Sequence, residues 1–249
     1  MKKLLLKSLA LFLVAVMVIS AFASCEEETG KQNNDAQSEK EETSNSEKTS
    51  DEESESDESA SDDNAIGTEG LAYKLLKNNT YEVSAGSAKE ATEIVIPSRY
   101  NGKPVTSIGD SAFYACTGLT SIDIPDSVTS IGSFAFHYCI GLTSIDVPDS
   151  VKSIGDSAFA YCTGLTSIDI PDSVTSIGAF AFSDCIGLTS VTIGNGVEII
   201  SDSVFSCCDG LTSIKFRITE AEWNAIEKGD NWNENVPEDC QIIFNYTGE

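Results

Sequence analysis

The sequence has a single histidine, His137, and only 15 basic residues against 40 acidic ones. Serines and acids abound, but with no second histidine or clustered base nothing is in place to activate a nucleophile. Cysteine pairs at the two-to-four-residue spacing of metal knuckles are missing. Glycines are scattered at turns and form no phosphate-cradling loop. After residue 23 no apolar run approaches the roughly 20 residues that a membrane span needs. The shortage of bases argues against nucleic acid and anionic lipid surfaces as partners. A catalyst, a cofactor protein and a metal protein are all poorly supported, and the expectation is of neither an enzyme nor a cofactor.

What is present divides the chain. Lys2, Lys3 and Lys7 precede an apolar run of about 15 residues from Leu9 to Ala23, the plan of an export signal. Ala21-Phe22-Ala23 fits ordinary secretion with a cut before Ser24. Phe22-Ala23-Ser24-Cys25 resembles the bacterial lipobox, in which the cysteine is lipidated after cleavage in front of it. The composition that follows favours the second reading. Residues 26–64 hold 16 acids and three lysines with no hydrophobic pattern. Such a segment cannot bury enough apolar surface to offset its chain entropy, and its like charges extend it. The expected organisation is a lipoprotein-type signal over 1–24 and a disordered acidic tether over 25–64. A folded part follows, with a cap over 65–95, repeats over 96–216 and a second cap over 217–249.

The repeats declare themselves. CTGLTSIDIPDSVTSIG runs from Cys116 to Gly132 and again, letter for letter, from Cys162 to Gly178. The copies start 46 residues apart, and a near-copy with Ile140, Val147 and Lys152 begins midway at Cys139. Further copies begin at Cys185 and Cys208, so the period is 23 residues. A period of 20–29 residues with apolar positions of this kind signals a leucine-rich solenoid. Within one copy Ile122 and Ile124 alternate with Ser121 and Asp123, as in a half-buried strand, and Pro125 ends it. Val128 and Ile131 make a second short apolar piece. Asp110 or Ser111 can cap a helical turn that puts Ala112 and Cys116 on one face. Stacking such units makes inward columns of Phe113, Phe136, Phe159, Phe182 and Phe205, and of the leucines from Leu119 to Leu211. The recurring cysteines read as a buried ladder of free thiols, with a Cys207–Cys240 bridge left open. His137 shares a variable column with Tyr114, Ala160, Ser183 and Ser206, which reads as exposed.

The phrase IPDSVTSIGxxAFxxCxGLTSI resembles the BspA-like bacterial leucine-rich repeat family from about Leu71 to the C-terminus. GLAYKLL…TYEV…EIVIPSRYNGKPVTSIG is similar to that family's first cap, with five extra residues at SRYNGKPV. TEAEWNAIEKGDNWN is similar to its closing cap. There Thr219 and Glu222 are set for a capping box, Gly229 for a helix stop, and Cys240 to Tyr246 for a last strand. The resemblance implies a solenoid of short parallel strands, turns and short helical segments. It also implies an exported surface protein that binds a protein of a host or neighbouring cell.

The expected binding surface is the solvent side of the strands. Its columns are Ser121, Ser144 and Ser167, then Asp123, Asp146, Asp169, Thr192 and Lys215, with a further acidic row at Asp126, Asp149 and Asp172. Three readings stand for these acids: solubility, a basic protein partner, and weak divalent-cation binding, although calcium prefers six to eight oxygens. For the whole chain the choice lies between an adhesive interaction module, held to the membrane only by lipid at Cys25, and an envelope spacer without a specific ligand.

Overall fold

Twenty-three residues cannot enclose their own apolar side chains, so each repeat is completed by the repeats above and below it. The computed structural model describes residues 67–248. The signal, Cys25 and the acidic tether lie outside the described residues.

The folded chain opens with an antiparallel pair, β1 (Ala72–Leu75) and β2 (Tyr81–Ser84). After β3 (Glu93–Val95), β4 (Arg99–Tyr100) turns back onto β5 (Lys103–Ile108) through Asn101 and Gly102. Both turn residues have positive φ, 48° and 74°, the geometry that makes Asn-Gly a preferred two-residue hairpin. This hairpin absorbs the extra residues of SRYNGKPV. From there each 23-residue floor adds one rung to a parallel ladder of β5, β7 (Ser130–Ile131), β8 (Ser153–Ile154), β10 (Ser176–Ile177) and β12 (Ile199–Ile200). The register repeats floor by floor, with Ile131 opposite Ile154 and Ile154 opposite Ile177. A second ladder uses β9 (Ser167–Ile170), β11 (Ser190–Ile193), β13 (Ser213–Phe216) and β15 (Gln241–Ile243). A two-stranded piece joins β3 to β6 (Ser121–Asp123).

The core is a set of columns. Phe113, Phe136, Phe159, Phe182 and Phe205 are fully buried and stack with centroids 5.2–5.7 Å apart. The leucine column from Leu119 to Leu211 is buried beside it. Each cysteine of the ladder is also buried and free. The thiols of Cys139, Cys162, Cys185 and Cys208 each donate to the carbonyl of the phenylalanine one floor back, at 3.0–3.1 Å. A small apolar side chain with a weak donor thus fills the site and serves a buried carbonyl. Burial pushes the Cys139 and Cys208 thiols up to about 12 and holds Cys162 and Cys185 well above the ordinary range.

The segment from 110 to 116 and its equivalents are strings of turns where a helical turn was expected. Local sequence favours a cap and a helix, but the backbone donors are shared between floors. Ala112, Tyr114 and Cys116 N–H bond three residues back, while Ser111, Phe113 and Ala115 N–H bond to Ser133, Ala135 and His137 on the next floor. A helix would turn all of these donors inward and leave the floors unjoined. The alternation requires left-handed backbone at two positions per floor, Ser111 and Ala115 in the first (φ 55° each) and Phe134 and Tyr138 in the second (57° and 66°). On alternate floors an aspartate completes the corner. Oδ1 of Asp110, Asp156 and Asp202 accepts the N–H of Ser133, Ala179 and Asn231.

Both ends are covered. Thr68 closes the β3 edge, with its N–H on Val95 O (2.9 Å) and its Oγ1 accepting Val95 N–H (2.7 Å). At the other end α1 (Glu220–Trp223) starts at Thr219, where the expected capping box forms. α1 stops at Trp223 and Asn224 caps it, so Gly229 is not its terminator. Gly229 instead follows β14 (Glu227–Lys228), where a Cβ would collide with Asp202. β14 pairs with β12 and β15 with β13, so this end folds as one more, longer turn of the solenoid. Phe216, Trp223, Trp232 and Phe244 form an aromatic cluster at this end of the core.

Candidate functional site: the solvent face of the strands

On each floor the strand turns one side chain in and the next out. Ile122, Ile168, Val191 and Ile214 are buried, while Ser121, Asp123, Ser144, Asp146, Ser167 and Asp169 are exposed and Thr192 and Lys215 half-exposed. The alternation read from the sequence therefore brings all eight candidate residues to solvent. It does not give them one continuous sheet. The strand of the second floor, 144–147, pairs with neither neighbour, and its N–H groups make no backbone hydrogen bond. Ile145 is only partly buried where Ile122 and Ile168 are buried.

Charge accounts for the place of this opening. Val95 faces Asp123, Asp169 faces Thr192, and Thr192 faces Lys215, and all three junctions are paired. Asp146 would face Asp123 on one side and Asp169 on the other, and both junctions are open. Like charges directly opposite on neighbouring strands are destabilising by up to about 1 kcal/mol. The adjoining ladder runs unbroken through the same floors at Ser130, Ser153 and Ser176, so the stacking itself is not at fault. Asp126, Asp146 and Asp149 border a shallow hollow of about 510 Å³ beside the open strand.

The acidic column is also shorter than its sequence pattern implies. Arg217 reaches back two floors, with Nη2 2.7 Å from Asp169 Oδ2 and Nη1 3.4 Å from Asp172 Oδ1. Asp172 Oδ1 accepts Asn195 N–H as well, at 2.9 Å. Asp123, Asp126, Asp146 and Asp149 have no ion-pair partner among the described residues. Sequence reasoning missed Arg217, although a signal existed: it stands in the column that Pro125, Pro148 and Pro171 hold on earlier floors. No cluster of three metal-ligating groups forms among the described residues.

Residues 88–243 match the BspA type leucine rich repeat region in six copies. The chain belongs to the BspA-type leucine-rich repeat family. Among solved structures this BspA-type solenoid is similar to the T. pallidum leucine rich repeat protein TpLRR, with 30% identity over 70% of this chain and 83% of that one and a TM-score of 0.57. It is likewise similar to a leucine rich cell surface protein of Faecalibacterium prausnitzii A2-165, with 34% identity over 64% of this chain and 41% of that one and a TM-score of 0.58. No curated protein matches it.

One column of the BspA-type solenoid sits differently from expectation. The His137 column is exposed only at Tyr114: Ala160, Ser183 and Ser206 are buried, and His137 is half-buried among the rings of Tyr114, Phe134, Tyr138 and Tyr161, at 5.1–6.0 Å. Its Nδ1 is enclosed without a hydrogen-bond partner, and desolvation lowers its pKa. Cys207 and Cys240 are partly exposed and unbridged.

Proposed function

We propose that this chain is an exported bacterial surface protein, lipid-anchored at Cys25, whose solenoid docks a protein of a host or neighbouring cell and so mediates adhesion. The observation that carries the reading is the strand face: a scaffold that spends its inward side chains on packing presents four unpaired carboxylates beside an open strand. A partner there brings lysine, arginine or hydroxyl groups, and its association weakens as salt rises. The cell-surface designation of the F. prausnitzii protein supports an extracytoplasmic setting. No catalytic role or cofactor is part of the proposal.

The experiment is a binding assay with partners recovered from host-cell and neighbouring-bacterial extracts. Asp146→Lys reverses the central charge at a site that is already repulsive, so folding is preserved and binding slows. Glu238→Lys, exposed in the final loop, serves as the control. Asp156→Lys does not serve, because Asp156 caps Ala179 N–H. Equal binding by both variants at low salt sinks the strand-face interface. Absence of any partner favours the spacer, for which the near-identity of the floors speaks. For the anchor, labelled palmitate enters the wild type and not Cys25→Ser, whereas equal release of both forms indicates simple secretion.

A further inference from the structure

The turn segments form a second face whose composition the fold does not demand. Of the ten large apolar or aromatic side chains that are exposed among the described residues, six lie there: Tyr114, Phe134, Tyr138, Ile140, Phe180 and Ile186. Phe134, Tyr138 and Phe180 also hold left-handed backbone, at φ 57°, 66° and 57°, a conformation that is costly for a bulky L side chain. The fold's own requirement at these places is met by small or polar residues. Ser111, Ser157 and Ser203 occupy the position of Phe134 and Phe180 on the other floors. Thr117, Thr163 and Asp209 likewise occupy that of Ile140 and Ile186. Exposed apolar bulk on strained backbone, where serine suffices one floor away, points to a contact made outside the molecule.

The pattern also has a spacing and a charge. Phe134 with Ile140, and Phe180 with Ile186, recur every second floor, a step of about 10 Å at roughly 4.8 Å per floor. An α-helix presents the same face every seven residues, or about 10.5 Å. The five segments 110–118, 133–141, 156–164, 179–187 and 202–210 contain no lysine or arginine, and they carry Asp110, Asp156, Asp184, Asp202 and Asp209. All nine bases of the folded part lie elsewhere.

We propose that the turn face docks a cationic amphipathic helix of a protein partner. The helix lies along the stacking axis, sets apolar residues at i and i+7 against the Phe134–Ile140 and Phe180–Ile186 pairs, and directs lysine or arginine to the aspartates and tyrosine rings. This deepens the protein-binding reading by naming a second surface and its ligand class.

The test uses a synthetic 18-residue Leu–Lys amphipathic helical peptide, its Leu–Glu counterpart, and lipid vesicles with and without anionic lipid. These are titrated against the chain, its Phe134→Ser/Phe180→Ser variant and Asp146→Lys. The serines copy the odd floors, so the double variant keeps its melting temperature. The Leu–Lys peptide is expected to bind the wild type, to bind the double variant about tenfold more weakly or worse, to weaken with salt, and to bind Asp146→Lys nearly as well as wild type. No binding to the wild type, equal binding to the double variant, or equal binding of the Leu–Glu peptide overturns the proposal. So does vesicle binding that the double variant abolishes, which would assign the face to membrane. Loss of an extract-derived partner on Asp146→Lys bears on the strand face and not on this one, so the two readings fail separately.

Discussion

Raising the pH should unfold this protein through its cysteine ladder. Four of the five ladder thiols, Cys139, Cys162, Cys185 and Cys208, are protonated in the fold and donate to a buried carbonyl. In the unfolded chain the same thiols ionise at an ordinary value near 9.0. A folded pKa above the unfolded one means that the stability is fully present below pH 9 and is lost as pH climbs toward the folded value of about 12. Between those limits each thiol removes about 1.4 kcal/mol per pH unit. At pH 10 the loss from Cys139 and Cys208 depends almost wholly on the unfolded value, because both are still well below their folded value of about 12. Together they then cost on the order of 3 kcal/mol, and Cys162 and Cys185, held well above the ordinary range, add in the same direction. That is a large part of the roughly 5–15 kcal/mol that stabilises an ordinary domain. Tyr73 and Tyr161 are shifted upward too and add in the same direction. Urea unfolding under reducing conditions at pH 8 and pH 10 measures the loss, and Cys139→Ala should shrink it by on the order of 1 kcal/mol. Stability that stays within about 1 kcal/mol across that interval would mean that the thiols are bridged or hydrated, and the reasoning would fail.

Phe159→Ala, which removes a ring stacked on Phe136 and Phe182, should cost roughly 3–5 kcal/mol in urea or thermal unfolding; Phe113→Ala, with one stacked neighbour in the column, should cost less. Thiol labelling of the folded chain should reach Cys207 and Cys240 quickly and the five ladder cysteines only in denaturant. Arg217→Ala should change stability by less than about 1 kcal/mol, since Asp169 and Asp172 are largely exposed. Asp146→Thr, which copies the paired fourth floor, should raise stability by a few tenths to about 1 kcal/mol and slow amide exchange over 144–147. Unchanged exchange there would show that charge is not what holds the strand open.

The inward columns were legible because their environment repeats. Phe159 meets the same ring above and below, so the 23-residue period alone identifies it as core. The capping box at Thr219 and Glu222 was legible because it is local. What escaped the sequence depends on neighbours distant along the chain. Asp110-Ser111-Ala112-Phe113 reads as a helix start by propensity, but Ser111 and Phe113 give their N–H groups to Ser133 and Ala135 on the next floor, and that requirement overrides the local one. The opening at 144–147 comes from carboxylates 23 residues away on either side. Arg217 answers to Asp169 and Asp172, more than 40 residues before it.

A two-floor repeat of 46 residues also appears in the charges at the corner of the solenoid. At the corner of each floor Asp110, Asp156 and Asp202 alternate with Ser133 and Ala179, so the corner carboxylates stand two floors apart, about 10 Å. Each accepts the N–H of the floor above it, and a Cβ on Gly132 or Gly178 would lie 2.6 or 2.5 Å from the oxygen that does so. An aspartate on every floor would bring like charges to about 4.8 Å. On the strand face that is the arrangement: Asp123, Asp146 and Asp169 occupy consecutive floors, and there the ladder is open. One column alternates its carboxylates and stays paired, while the other does not and parts. The repeating unit of packing is therefore one floor, but at the corner the repeating unit of charge is two. The exposed Phe134–Ile140 and Phe180–Ile186 pairs follow that longer unit, so any partner that reads them meets a surface periodic at about 10 Å.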